Sequence, residues 1–136
     1  MNRRKSVDLR RVPAVMLDSS VLLSYFIGEP NAVDLSLVKS KCLIPFMALY
    51  ELHSVLARKG DRALADRYFG IVRAWDVPVI HSTEEMILAA SRLRQHYHLG
   101  TGDAFIAAAS LCLRIPLLTY DSDFQPLSRE IMILGL

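Results

Sequence analysis

The chain has 136 residues, of which 52% are hydrophobic and 22% are charged, and its formal net charge is +2 at pH 7. This length corresponds to a single domain, and the hydrophobic content excludes an intrinsically disordered protein. No apolar stretch reaches the roughly 18 residues of a spanning helix, and the first residues lack the apolar segment of a secretory signal. We therefore expect a cytoplasmic protein without membrane contact.

The first residues are strongly basic. Residues 1–12 contain one acid, Asp8, and five bases, which are Arg3, Arg4, Lys5, Arg10 and Arg11. Such a segment can contact the phosphates of RNA, or it can be a solvated tail, and both interpretations remain open. We predict a flexible basic arm over residues 1–12, followed by a single domain over residues 13–136.

Short apolar runs alternate with segments of helical periodicity. The strand-like runs cover about residues 14–18, 42–45, 77–80, 116–119 and 130–134. This alternation is typical of βαβ units with a parallel sheet. The predicted fold class is α/β, a three-layer α/β/α sandwich around a central, mostly parallel five-stranded sheet.

The intervening segments carry helix start and stop signals. We predict a helix over 20–27 that ends at Gly28, a short helix capped by Asn31, and a hairpin of helices 46–58 and 62–74 with Asp61 as N-cap. A longer helix should begin at 82–85 and reach about residue 97. Thr101 or Asp103 should then cap the apolar helix that follows. The two cysteines lack metal-ligand spacing, so we interpret them as small core residues.

Four acids stand where the catalytic edge of such a sheet would lie. Asp18 follows the first apolar run and Asp121 follows the fourth. Ligands of parallel sheets gather at the carboxyl ends of the strands, so these two acids can lie side by side. Glu51 interrupts an apolar helical face, where a charge needs a proton, a salt bridge or a cation. Asp18 and Asp103 also suit helix N-caps, and Asp121 an Asx turn.

Carboxylates gathered in one cleft repel one another unless a cation neutralises them. All-oxygen ligation favours hard ions such as Mg²⁺ or Mn²⁺. Such ions activate water and stabilise the attacking and leaving oxygens in phosphodiester hydrolysis. If the acids converge, they therefore indicate nuclease chemistry.

Four motifs surround these acids: Met-Leu-Asp-Ser-Ser-Val-Leu-Leu-Ser-Tyr-Phe, Tyr-Glu-Leu-His-Ser-Val-Leu, Gly-Asp-Ala-Phe-Ile-Ala-Ala-Ala-Ser and Leu-Leu-Thr-Tyr-Asp-Ser-Asp-Phe. In this order, over about residues 14–134, they resemble the PIN-domain ribonucleases and especially the VapC-type toxins. The resemblance implies a metal-dependent endoribonuclease that cuts single-stranded or looped RNA. It also implies a small cognate antitoxin and a homodimer.

The same resemblance assigns roles to individual side chains. It implies that Mg²⁺ or Mn²⁺ is held by Asp18, Glu51, Asp103 and Asp121. The hydroxyls of Ser19 and Thr119 match positions that orient water or a ligand beside the acids. Asp123 either assists Asp121 or is a turn residue, and we favour the turn. The chain departs from the family pattern in its basic arm and in the brief segment between residues 28 and 42.

Three other functions compete with the nuclease toxin. The chain can be a non-catalytic PIN-like module that binds RNA or protein, or a housekeeping PIN nuclease that processes RNA. Aspartyl phosphatases and phospho-receiver domains also place acids at strand ends. The sequence disfavours them, because Ser20 replaces their second acid and the last lysine is Lys59. We interpret the four histidines as surface or packing residues.

Overall fold

The computed structural model describes residues 7–136. The strands are β1 (Val15–Leu17), β2 (Cys42–Pro45), β3 (Val79–Ile80), β4 (Leu117–Leu118) and β5 (Ile133–Leu134). The α-helices are α1 (Ser19–Ile27), α2 (Leu35–Val38), α3 (Phe46–Arg58), α4 (Arg62–Ala74), α5 (Glu84–His96) and α6 (Thr101–Leu113). Two 3₁₀ helices cover Lys39–Lys41 and Ser122–Arg129.

Within the described residues, the strands form one five-stranded sheet in the order β3-β2-β1-β4-β5, and each neighbouring pair is parallel. The predicted α/β/α sandwich with a parallel five-stranded sheet is confirmed. The order reverses between β1 and β4, the first strand and the fourth. This reversal creates a switch point at the carboxyl edge, where the loops after the two strands diverge and leave a crevice.

Register brings the two strand ends at the switch point level. Met16 pairs with Leu117 and Leu17 pairs with Leu118. The amide of Asp18 donates a hydrogen bond to the carbonyl oxygen of Leu118 at 3.0 Å. The residue after β1 is therefore fixed beside the residues after β4, although a hundred positions separate them in the sequence.

The core explains why the strands are continuous apolar runs. The three side chains of β1 and the two of β4 are at most 1% exposed. Strands covered on both faces have no solvent side on which to place polar residues. Ile44 of β2 and Leu52 of α3 are also fully buried in this core. The sheet thereby gives a rigid base to the side chains at its carboxyl edge.

Most helix bounds match the predictions, with corrections at two caps. The hairpin of α3 and α4 is confirmed, and Asp61 accepts a hydrogen bond from the amide of Leu64 at 3.0 Å. The cap predicted at Asn31 is wrong: α2 begins after Asp34, whose side chain accepts from the Ser36 amide, because Asn31 instead adopts a left-handed turn with φ of 64°.

The cap predicted for the last α-helix is also wrong. Gly100 occupies the N-cap position, so α6 begins one residue beyond it and includes both Thr101 and Asp103 in its first turn. The carboxylate of Asp103 is therefore not used as a cap. The 3₁₀ helix after Asp121 was not predicted.

Part of the predicted arm lies outside the described residues, since these begin at residue 7. Of the remainder, Leu9 is buried, and the Lys41 ammonium donates to the Leu9 carbonyl oxygen at 2.7 Å. The division into an arm and a domain stays a prediction. In the part of the chain that is described, no helix combines the length and the apolarity needed to span a membrane. Cys42 is buried, Cys112 is half-buried, and both are free thiols.

Candidate metal centre

Three of the predicted acids meet at the switch point. Asp18, Glu51 and Asp103 each offer a carboxylate oxygen, and these oxygens lie within 4.8 Å of one another. They come from three elements: the loop after β1, the middle of α3 and the first turn of α6. We call this set the inner group. Oxygens at this spacing can share one cation.

Asp18 is the most buried acid of the inner group, at 2% exposed. Its Oδ2 accepts hydrogen bonds of 2.7 Å from both the Ser20 and the Thr119 hydroxyls. Its Oδ1 is buried and has no hydrogen-bond partner within residues 7–136. Asp18 occupies the N-cap position of α1, but its side chain makes no capping hydrogen bond. The N-cap alternative therefore does not account for this carboxylate.

The two hydroxyls beside Asp18 are themselves held by backbone amides. The Tyr120 amide donates to Ser20 Oγ at 3.0 Å, and the Asp121 amide donates to Thr119 Oγ1 at 3.0 Å. Each hydroxyl thus accepts a hydrogen bond from a backbone amide and donates its one proton to Asp18. Thr119 was predicted in a supporting role. Ser20 was not, because nothing in the sequence separates it from its neighbour Ser19 before the fold is known.

Glu51 is half-buried and is tied to the loop after β1. Ser19 Oγ donates to Glu51 Oε2 at 2.8 Å. The supporting role of Ser19 stays a prediction. Burial is the main reason that the pKa of Glu51 is raised, and the negative charges of Asp18 and Asp121 add to it. The hydrogen bond from Ser19 opposes this shift.

The carboxyl group of Asp103 has a strongly raised pKa. The pKa of its carboxyl is raised from 3.8 to about 7, first by burial and then by the charges of the other four acids around it. The pKa of Asp18 is also raised, by burial, against the two hydroxyl hydrogen bonds. Neighbouring acids oppose one another's ionisation, and a bound divalent cation stabilises their ionised form.

Asp121 and Asp123 form a second, more exposed set with Asp103. Their carboxylate oxygens lie within 4.8 Å of one another. We call these three residues the outer group. Asp121 Oδ1 accepts from the Asp123 amide at 2.9 Å, so the predicted Asx turn is present and does not exclude a ligand role. Asp103 belongs to both groups and joins them into one acidic centre.

The donor set suits a hard divalent cation. It consists of carboxylate oxygens alone, with one buried oxygen that has no hydrogen-bond partner among the described residues. Mg²⁺ and Mn²⁺ prefer such ligands, whereas no histidine or cysteine that would favour zinc belongs to either group. The residues present therefore fit the cation that the sequence predicted.

An open cleft of about 400 Å³ adjoins the inner group along α3. Glu51 and Gly102 line it near the acids, and Arg58 lines its far end. Tyr50 also faces it and is 56% exposed. The cleft thus leads from the carboxylates to the guanidinium group of Arg58, about two turns along the same helix.

Neither the inner nor the outer group contains a histidine. His53 Nε2 is 2.7 Å from Asp66 Oδ1 across the α3–α4 hairpin, and His81 stacks on Phe46 with ring centroids 6.2 Å apart. These two contacts agree with the prediction that histidines serve at the surface and in packing.

Several solved structures of similar fold come from toxin–antitoxin systems. VapBC2 of Rickettsia felis bound to a promoter DNA fragment matches with a TM-score of 0.73 and 15% identity, over 88% of this chain and 96% of that chain. VapBC-5 of Mycobacterium tuberculosis matches with a TM-score of 0.69 and 22% identity, over 91% and 99%. VapC20 of the same organism, described as a sarcin-ricin loop cleaving toxin, matches with a TM-score of 0.67 and 20% identity, over 84% and 95%.

At these low identities, the TM-scores show a shared fold alone. A comparison of sequences with curated proteins finds no match. A comparison with protein-family models, in contrast, matches the PIN domain over residues 15–130, a range that contains all four predicted acids and both groups of the acidic centre. The chain is therefore a member of the PIN-domain family.

Proposed function

We propose that this protein is a metal-dependent endoribonuclease and the toxin of a type II toxin–antitoxin pair. The observation that carries the enzymatic part is the buried Oδ1 of Asp18, which has no hydrogen-bond partner among residues 7–136 and belongs to a carboxylate grouped with two others. A fold maintains such an arrangement at a cost in free energy, because burial opposes every one of these charges. A bound Mg²⁺ or Mn²⁺ removes that cost.

The inner group holds the cation in this proposal, and the outer group extends its ligand set toward the surface. The cation supplies positive charge to the phosphate oxygens and lowers the pKa of a bound water. The hydroxyls of Ser20 and Thr119 fix Asp18, and that of Ser19 fixes Glu51. Side chains outside the ligand set that orient ligands in this way tune both affinity and activity.

RNA reaches the acids through the cleft along α3. The exposed ring of Tyr50 offers a face on which a base can stack, and the Arg58 guanidinium can bind a phosphate. Looped or single-stranded RNA suits this arrangement because its bases are free to leave the stack. The similarity in fold to VapC20, a toxin that cleaves the sarcin-ricin loop, agrees with that substrate class.

The partners follow from the same relatives. The similar structures from R. felis and M. tuberculosis are VapBC assemblies, so we propose a small cognate antitoxin that covers this chain in a resting cytoplasmic complex, and a homodimer of the chain itself. Several large apolar side chains are more than half exposed and can serve such contacts: Leu37, Leu88, Met132 and Ile27.

The test is cleavage of a structured RNA pool by the purified protein with Mn²⁺, with EDTA, and with the Asp18→Asn variant. We expect cleavage with Mn²⁺ alone, and a folded but inactive variant. Cleavage that survives EDTA or the substitution would contradict the metal mechanism. A wild-type protein that binds RNA and never cuts it would instead support a non-catalytic PIN module. Co-purification with a short polypeptide tests the antitoxin separately.

A further inference from the structure

Gly102 lies in the first turn of α6, where this helix passes closest to Glu51 of α3. A Cβ placed on Gly102 would overlap Oε1 of Glu51 and would lie 3.2 Å from its Cδ. The next atom, Cγ of Met47, is 3.5 Å away, which is an ordinary contact. The overlap therefore concerns the Glu51 carboxyl group and not the backbone of α3.

The Glu51 carboxylate has little freedom to avoid such an overlap. Its other oxygen, Oε2, accepts the hydrogen bond from Ser19 at 2.8 Å. A carboxylate oxygen must also stay within 4.8 Å of those of Asp18 and Asp103 for the inner group to persist. A side chain at position 102 would therefore compete for space with the carboxylate that makes both of these relations.

Gly70 provides a contrast within the same molecule. It lies inside α4, and a Cβ at that position would meet no atom within 4 Å. Inside a helix, glycine is less favourable than alanine by about 0.5–1 kcal/mol. The structure offers a steric reason to keep glycine at position 102 and none at position 70.

We propose that Gly102 is a positioning residue for the metal centre: by having no side chain, it sets where the Glu51 carboxylate lies and thus how tightly the site binds its divalent cation. This inference rests on the proposed metal-dependent function. Gly102 itself contributes no ligand atom. Its effect is transmitted entirely through Glu51.

The experiment compares Gly102→Ala with Gly70→Ala in the full chain. Binding of Mn²⁺ is titrated by the electron paramagnetic resonance signal of the free ion, and folding without metal is followed by far-ultraviolet circular dichroism. We expect Gly70→Ala to bind Mn²⁺ as the wild type does. Gly102→Ala should bind about 10–100-fold more weakly, the range typical of disturbed groups beside a metal ligand.

A second pair of variants separates positioning from a general defect in folding. In a Glu51→Ala background the overlap with the Glu51 carboxyl group is removed, and Cγ of Met47 lies at an ordinary distance of 3.5 Å from the methyl of Gly102→Ala. The metal-free Tm of the double variant should then equal or exceed that of Glu51→Ala alone, because alanine is more favourable than glycine inside a helix. An equal loss of Tm with and without Glu51 would overturn the proposal, because the overlap would then lie elsewhere.

The outcomes also separate this inference from the proposed function. If Gly102→Ala binds Mn²⁺ as tightly as the wild type and the wild type still cleaves RNA, the role of Gly102 is rejected and the nuclease stands. If the wild-type protein binds neither Mn²⁺ nor Mg²⁺, the metal centre is rejected, and the role of Gly102 falls with it.

Discussion

The inner and outer groups of the acidic centre are built differently. In the inner group, Asp18 is buried and accepts hydrogen bonds from two side-chain hydroxyls, while Glu51 accepts one from Ser19. In the outer group, Asp123 is exposed, and its backbone amide forms the turn at Asp121. Burial and fixed hydroxyls hold the inner ligands in place, whereas the outer carboxylates are set by a turn and stay close to solvent.

Asp103 is the residue common to both groups, so its substitution should have the largest effect. Asp103→Asn should lower Mn²⁺ affinity by more than about a hundredfold, since even residues beside a ligand commonly cost 10–100-fold. Without metal the variant should be more stable than the wild type, because one half-buried charge among like charges is gone. The Tm should rise by about 4 °C for each kcal/mol gained.

Isothermal titration with Mn²⁺ and a metal-free thermal melt measure these two effects on the same sample. A loss of affinity together with a lower metal-free Tm would contradict the account, because it would show that Asp103 stabilises the fold.

The hydroxyls that hold Asp18 should matter next. Thr119→Val preserves the shape of the side chain but removes the hydrogen bond to Asp18 Oδ2 and the acceptor for the Asp121 amide. We expect Mn²⁺ affinity to fall by about 10–100-fold. Ser20→Ala should also lower the Mn²⁺ affinity. In the double variant the fold-loss of affinity should be smaller than the product of the two single losses, because both hydroxyls hold one oxygen. Independent, multiplicative effects would show that the hydroxyls do not share a task.

The pH dependence should follow the raised pKa of Asp103. The folded, metal-free protein holds this proton up to pH about 7, whereas the unfolded chain releases it near 3.8. The folded state therefore binds more protons between these values, and its stability should fall as pH rises from about 4 to about 7. Burial shifts the pKa of Asp18 and of Glu51 in the same direction. Urea midpoints of the metal-free protein at several pH values measure this trend.

Metal binding should show the opposite trend, because the cation must displace the proton. Below pH 7, Mn²⁺ affinity should fall by about tenfold for each pH unit if one proton is displaced. The Asp103→Asn variant is the control for the stability trend, since its metal-free stability should lack the decline between about pH 4 and about 7. A wild-type affinity that is constant from pH 5.5 to 8 would contradict the raised pKa.

The outer group should give the smallest effects. Asp121→Asn keeps an oxygen for the turn but loses a charge beside Asp103, so cleavage should decrease. Asp123→Asn should change cleavage less, because Asp123 is exposed and contributes its backbone amide to the turn. Rates for the two variants at saturating Mn²⁺ test the order. Equal losses would show that Asp123 assists Asp121, the alternative that the sequence left open.

Two acids of the inner group could be predicted from their local setting. Glu51 stands on an apolar helical face, and Asp18 follows a buried run directly. The parallel sheet was predictable for a similar reason, since apolar runs alternated regularly with helical periodicity. Caps were less predictable: Asn31 and Asp103 both carry good capping side chains, yet Asp34 and Gly100 occupy the N-cap positions. Local preference for caps is weak enough for the tertiary path to override it.

The elements, their alternation and the four acids could be predicted from the amino-acid sequence, because periodicity and residue type are local properties. The fold itself was needed to place the Asp18 amide on the Leu118 carbonyl oxygen, to bring Ser20 and Thr119 to one oxygen of Asp18, and to bring α6 so close to Glu51 that a Cβ on Gly102 would overlap its carboxylate. Most of these relations join residues that are far apart in the sequence. They depend on strand order and helix packing, which no local pattern encodes.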